Sequence, residues 1–171
     1  MVTRILFLLM MLATPVVSQD QLDLDRLDQK LTKYFERVMP GWEHKRGEPI
    51  FKTANVLIQF WYSPNRAIKI AVSPRKSGEE ARRGLQNFRK SERTEALSDV
   101  GDEAYAWGYG SANIAFRKGR YVFFVSTNAE VDADPGAHLL TQEQRFERER
   151  IEKRRLSLQF AKHASKALED Q

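Results

Sequence analysis

Cysteine is absent from the 171-residue chain. That absence excludes disulfides, thiolate-bound zinc, iron–sulfur clusters, Cys nucleophiles and lipid attachment through a Cys. Histidine is scarce: only His44, His138 and His163 occur, and no spacing among them suits a metal pair. The chain contains no His-x-x-x-His pair, no Gly-x-Ser-x-Gly elbow, no Walker loop and no Gly-x-Gly-x-x-Gly fingerprint. No cofactor is therefore expected. Long apolar runs are missing too. The longest, Ile5 to Ala13, is about half of the roughly 20 residues that span a bilayer. Asn-x-Ser/Thr glycosylation sequons are also lacking.

What is present starts with an address. Met1 to Arg4 is basic, Ile5 to Ala13 apolar, and Thr14 to Gln19 rich in small residues. This is the layout of a secretory signal peptide. Val16 and Ser18 occupy the positions a signal peptidase reads, which puts the cut after Ser18. Residues 19–171 then form one domain, with no transmembrane span after cleavage. Losing residues 1–18 removes Arg4 and no acid, leaving 27 basic and 23 acidic side chains, a net charge of +4. An exported domain with neither cysteines nor sequons points to a bacterial periplasmic or secreted protein.

The periodicity predicts a helix from Asp20 to Met39, where Leu24, Leu27, Leu31, Tyr34, Phe35 and Val38 recur every three or four residues. Pro40-Gly41 ends it. Trp42 to Arg46 reads as a short strand. Asn55 to Tyr62 and Ala67 to Val72 alternate around Ser63-Pro64-Asn65, the pattern of a β-hairpin. Ser77 caps a helix to about Lys90, with Glu80 completing a capping box. Strands follow at Ala104 to Gly108, Ala112 to Arg117 and Arg120 to Thr127, and Lys118-Gly119 makes a tight hairpin turn. Thr141 to Glu169 reads as a long helix capped by Thr141 and Gln144. The expected fold is α+β: an antiparallel sheet of five to six strands with helices packed mainly on one face. The covered face would carry Val56, Ile58, Phe60, Ile68, Ile70, Ile114, Phe116, Phe123 and Val125. The other face would carry Leu57, Trp61, Val122 and Phe124, which suits either a covering helix or a partner.

Candidate interaction residues follow from that arrangement. Trp61 and Phe124 on the outer sheet face, with Tyr109 in the Gly108-Tyr109-Gly110 loop, suit a protein or small-ligand partner. A second candidate is the middle helix, where Arg82, Arg83, Arg89 and Lys90, joined by Arg75, Lys76 and Arg93, suit an anionic envelope surface. Nucleic acid is not expected, because no stacking motif accompanies the charge. A third reading is an enzyme using Asp99, Asp102, Glu103 or His44, since neighbouring carboxylates can do acid–base work or hold a hard cation. Against it, Asp and Gly also belong in turns for backbone reasons. The leading expectation is a non-enzymatic binding or accessory domain.

The segment Leu97-Ser98-Asp99-Val100-Gly101-Asp102-Glu103-Ala104-Tyr105, with the later Ile114 to Arg120 hairpin, resembles small exported bacterial proteins that carry a GDEAY/W motif. The resemblance covers about residues 97–127. It implies the α+β sandwich of PsbP/Mog1-like and sensor-type extracytoplasmic domains, and it assigns no catalytic residue.

Overall fold

The computed structural model describes residues 19–49, 55–132 and 134–169; the signal expected at residues 1–18 lies outside them. The chain begins with α1 (Gln19–Val38), whose Leu24, Leu27, Leu31, Tyr34 and Phe35 form one buried stripe. Strands β1 (Glu43–Gly47), β2 (Leu57–Ser63) and β3 (Arg66–Pro74) follow, then α2 (Gly78–Ser91). After α2 come β4 (Thr94–Leu97), β5 (Glu103–Trp107), β6 (Asn113–Lys118), β7 (Tyr121–Ala129) and the long α3 (Gln142–Ala167). Short 3-10 turns lie at Tyr109–Ser111 and Ala137–Leu139. All seven strands make one open antiparallel sheet in the order β1-β2-β3-β7-β6-β5-β4.

The fold is therefore α+β, with one strand more than the expected five to six. The addition is β4, a four-residue edge strand with no buried residue. Such a strand leaves no alternation to read, and its pairing with β5 places it at the edge of the sheet.

Helices α1 and α3 cover one sheet face. Their core joins Leu31, Phe35, Leu156 and Phe160 to Ile68, Ile70, Val72, Ile114, Phe116, Phe123 and Val125. Helix α2 covers the other face, where Ala81 and Leu85 meet Tyr105, Ala115 and Val122. Two of the three helices thus share one face, as expected, and the shorter α2 packs on the other.

Strand β2 is turned over relative to the expected faces. Leu57, Gln59 and Trp61 point into the α1/α3 core, opposite Val72, Ile70 and Ile68. Ile58 and Phe60 point the other way. A one-residue change of phase exchanges the two faces of a strand. Gln59 is the reason the pattern misleads. It is 0% exposed, yet its amide donates to Asp28 Oδ1 at 2.6 Å and to Thr32 Oγ1 at 3.1 Å, and Trp61 Nε1 donates to its Oε1 at 3.3 Å. A polar side chain with its bonds satisfied is tolerated in a core.

Both caps form where expected. Thr141 and Gln144 exchange bonds of 2.9 and 3.2 Å, a full capping box. Ser77 Oγ accepts from Glu80 N, but the Glu80 carboxylate accepts from Lys76 N, one residue before the cap.

The Gly101-Asp102 segment acts as a clamp. Asp102 N donates to Arg117 O at 2.7 Å, and the Asp102 carboxylate accepts from Arg117 Nη1 at 2.7 Å and from Gly119 N at 2.8 Å. Gly101 N donates to Ser165 Oγ of α3 at 3.0 Å. Gly101 has φ +59°, and a Cβ there would lie 2.3 Å from Arg117 O. Gly119, in the β6–β7 turn, has φ +57° but open space around it. Gly119→Ala should therefore cost only the left-handed backbone term, about 1–2 kcal/mol. Gly101→Ala adds a backbone collision and should cost about 2 kcal/mol more. Urea unfolding of the two variants checks this; equal losses would contradict the clamp.

Candidate functional site

The residues expected to share the outer sheet face are not brought together. Trp61 is 0% exposed, with its ring centroid 5.1 Å from Phe35 and 4.8 Å from His44. It is a core residue because β2 shows the core its Leu57-Gln59-Trp61 phase. Phe124 is half-buried and meets Phe88 of α2 edge-on at 5.2 Å, beside the Phe88–Trp107 pair at 5.3 Å. Helix α2 closes that part of the sheet. Tyr109 alone of the three stands in solvent, at 85% exposure.

Two of the four basic residues of α2 have local partners. Arg82 lies 3.6 Å from Glu79, and the Arg89 guanidinium sits 5.2 Å from the Tyr105 ring centroid and donates to its hydroxyl at 3.4 Å. Arg83 and Lys90 are exposed. Burial, and then the Glu103 carboxylate that accepts from the Tyr105 hydroxyl at 2.7 Å, push the Tyr105 phenol above its ordinary value.

The carboxylates of the third reading do not converge on a substrate. Asp102 is spent on the hairpin clamp, Glu103 accepts from Tyr105, and Asp99 is exposed at a left-handed turn position. Among the described residues, no group of three or more His, Asp or Glu side chains is placed to hold a metal ion.

His44 belongs to the polar seam between α1 and β1. Its Nδ1 is 3.5 Å from Thr32 Oγ1 and its Nε2 is 3.9 Å from Asp28 Oδ1. Burial holds its pKa below the ordinary imidazole value, opposed by Asp28 and Glu36 and assisted by Arg46. His163 on α3 packs against Tyr34 and Phe35, and its Nδ1 is buried without a hydrogen-bond partner. Burial, with Lys166 adding to it, likewise lowers its pKa. His138 is exposed in the turn before α3.

A different grouping forms around Tyr109. The first half of α3 turns charged side chains inward and apolar ones outward. Arg145, Glu149, Arg150, Glu152, Lys153 and Arg154 are half-buried, whereas Phe146 and Ile151 are 57% and 54% exposed. Long-range ion pairs fix this orientation. Arg154 donates to both Glu95 oxygens on β4 at 2.9 and 2.7 Å, Arg66 of β3 donates to Glu152 at 2.9 Å, and Arg145 meets Asp132 at 3.2 Å. The Tyr109–Ser111 turn lies directly on α3, since a Cβ at Gly110 would fall 2.3 Å from Arg150 Cγ. Tyr109, Phe146 and Ile151 therefore line one open cleft of about 1090 Å³, with Glu143, Glu147 and Arg148 at its rim. Tyr109 and Phe146 also line the adjoining groove of about 350 Å³.

Comparisons with protein-family models, curated proteins and solved structures each gave no significant match. Sequence reasoning named Tyr109 but passed over Phe146 and Ile151. Their signal was two large apolar residues in an otherwise charged helical stretch.

Two pH windows follow. His163 has a lowered folded pKa, so the unfolded chain binds the proton more readily. Its contribution is complete above the ordinary value of 6.5 and declines as pH falls through it. His163→Leu should therefore flatten the loss of stability between about pH 7.5 and 5.5; an unchanged slope would contradict a buried neutral imidazole. Glu152 is held down to about 2, first by the Arg155 hydrogen bond and then by that of Arg66, against burial. Its contribution is present above 4.5 and disappears as pH falls towards 2. Glu152→Gln should remove about 1–2 kcal/mol of stability at neutral pH, after allowance for solvent screening, and little at pH about 2.

Proposed function

We propose that the chain is an exported binding or accessory domain, periplasmic or secreted, that contacts a protein partner through the Tyr109–Phe146–Ile151 cleft. The observation that carries this reading is the exposure of three large apolar side chains on one cleft, two of them, Phe146 and Ile151, held outward by the ion pairs beneath α3. An exposed apolar cluster rimmed by charge is the usual character of a protein-contact surface. A small-ligand site is the weaker reading, because such sites enclose most of their ligand and this cleft is open on one side. The signal-like residues 1–18 support the exported setting.

Photo-crosslinking tests the cleft. The full chain carries benzoylphenylalanine in place of Tyr109 or, for comparison, in place of exposed Lys69 on the outer face of β3. In the cells that make the protein, position 109 should give a discrete heavier adduct that Phe146→Ala weakens and position 69 lacks. Equal labelling at both positions would overturn the proposal. So would an adduct of twice the chain's own mass, which assigns the cleft to self-association.

A further inference from the structure

We infer that α1 and the C-terminal half of α3 together form a docking face for an anionic lipid surface. Helix α1 is electrically two-sided. One edge carries Asp25 and Asp28, which Arg46 of β1 meets at 2.7 and 3.3 Å. Another edge carries Arg26, Lys30, Lys33 and Arg37, at steps of four, three and four residues, which places them in one row. Neighbouring like charges at these spacings destabilise a helix. The row is therefore not explained by the stability of the isolated fold.

Helix α3 continues the face. His163 meets Tyr34 with ring centroids 6.1 Å apart, and exposed Lys162 and Lys166 flank it. A shallow depression of about 270 Å³ is lined by Lys30, Lys33, Tyr34 and Arg37 of α1 and Ala167 of α3. Lys30 also lines a second depression of about 380 Å³, with Arg26, Arg120 and Tyr121. The two run together along α1 and are of a size to take phosphate headgroups.

Five cations of this face lack an ion-pair partner among the described residues. Among the described residues, Arg26, Lys30, Lys33, Lys162 and Lys166 have no carboxylate within ion-pair distance. Of the acids nearby, Asp23 is engaged with Arg120 at 2.6 Å and Glu169 with Lys118 at 2.5 Å, and exposed Glu36 acts on His44 at the other edge of α1. Arg37 lies over the Tyr34 ring at 5.2 Å, an arrangement that holds its guanidinium in place. The first half of α3 is different, since its Arg and Lys residues interleave with Glu at pairing distance.

A lipid surface fits better than single-stranded nucleic acid. None of the large exposed apolar side chains lies on α1 or on the Lys162–Lys166 segment, and the rings of Tyr34 and Tyr121 lie under Arg37 and Arg120, so the face offers no freely exposed ring on which a base could stack. For the same reason the contact is electrostatic and peripheral, without insertion into the acyl region. Helix α3 is about 39 Å long. Docking its C-terminal half would leave the Tyr109 cleft, at the other end, clear of the membrane. The inference rests on charge alone and stands or falls independently of the cleft.

Vesicle co-sedimentation of the full chain tests it, using phosphatidylcholine with or without roughly one-third phosphatidylglycerol, at about 0.05 M and about 0.5 M salt. Binding should require the anionic lipid and be lost at the higher salt. Lys30→Gln with Lys33→Gln, and separately Lys162→Gln with Lys166→Gln, should each weaken it by roughly tenfold or more. Arg82→Gln with Arg83→Gln on α2, across the sheet, should leave it within about twofold. Circular dichroism confirms that each variant is folded. The inference is overturned if the wild-type chain ignores anionic vesicles or binds neutral ones equally. It is also overturned if the α1 and α3 variants bind normally, if the α2 variant is the one that fails, or if the chain binds DNA at equal phosphate concentration more tightly than vesicles.

Discussion

The burial of Trp61 between β2 and the helix pair α1/α3 is the contact on which the rest of the structure depends. Phe35 and Phe160 stack at 5.1 Å, Phe35 and Trp61 lie at 5.1 Å, and Trp42 meets Phe160 edge-on at 4.8 Å. This cluster joins both terminal helices to the sheet in a chain that has no disulfide to do so. Aromatic pairs of this kind add about 0.5–1.5 kcal/mol each beyond the area they bury. Gln59 allows the cluster to exist beside the charged edge of α1, because Asp28 and Thr32 accept its amide protons where β2 crosses the helix. Once β2 is fixed with this face inward, Ile58 and Phe60 must face outward.

Much of the element order was legible in the sequence, because helix stripes and hairpin turns are local. The stripe of α1, the Thr141 cap of α3 and the β6–β7 turn all depend on residues a few positions apart. The face of β2 was not legible. Val56, Ile58, Phe60 and Tyr62 make a cleaner apolar phase than Leu57, Gln59 and Trp61, and the partners that make Gln59 tolerable lie on α1, about thirty residues earlier. The placement of α2 on the opposite face was equally hidden, since the thin stripe of Ala81, Leu85 and Phe88 fits either side. β4 left no pattern because none of its four residues is fully buried. Of the candidate site, only Tyr109 could be read. The outward turn of Phe146 and Ile151 is set by ion pairs such as Arg66–Glu152 and Arg154–Glu95, which join residues 59 to 86 positions apart.

The two ends of α3 show how one helix can serve different purposes. Its second half is conventionally amphipathic, with Leu156, Phe160, Ala161 and Ala164 buried. Its first half replaces an apolar inner stripe with a network of Arg and Glu, which leaves its apolar residues free for solvent or a partner. Surface ion pairs of this kind contribute little stability one by one. Their structural effect is to fix the rotation of the helix, and that rotation creates the Tyr109 cleft. The GDEA segment has a comparable structural role, since Gly101 and Asp102 tie the β6–β7 hairpin to β5 and α3.

The most direct measurement of the central claim is the fluorescence of Trp61 alone, in a chain where Trp42 and Trp107 are replaced by Phe. An indole buried against Phe35 and Phe160 should emit at short wavelength, resist acrylamide quenching, and become quenchable only through the cooperative unfolding transition. Long-wavelength, freely quenched emission from the folded chain would show that Trp61 faces solvent. The packing of α1 and α3 on β2 would then be wrong.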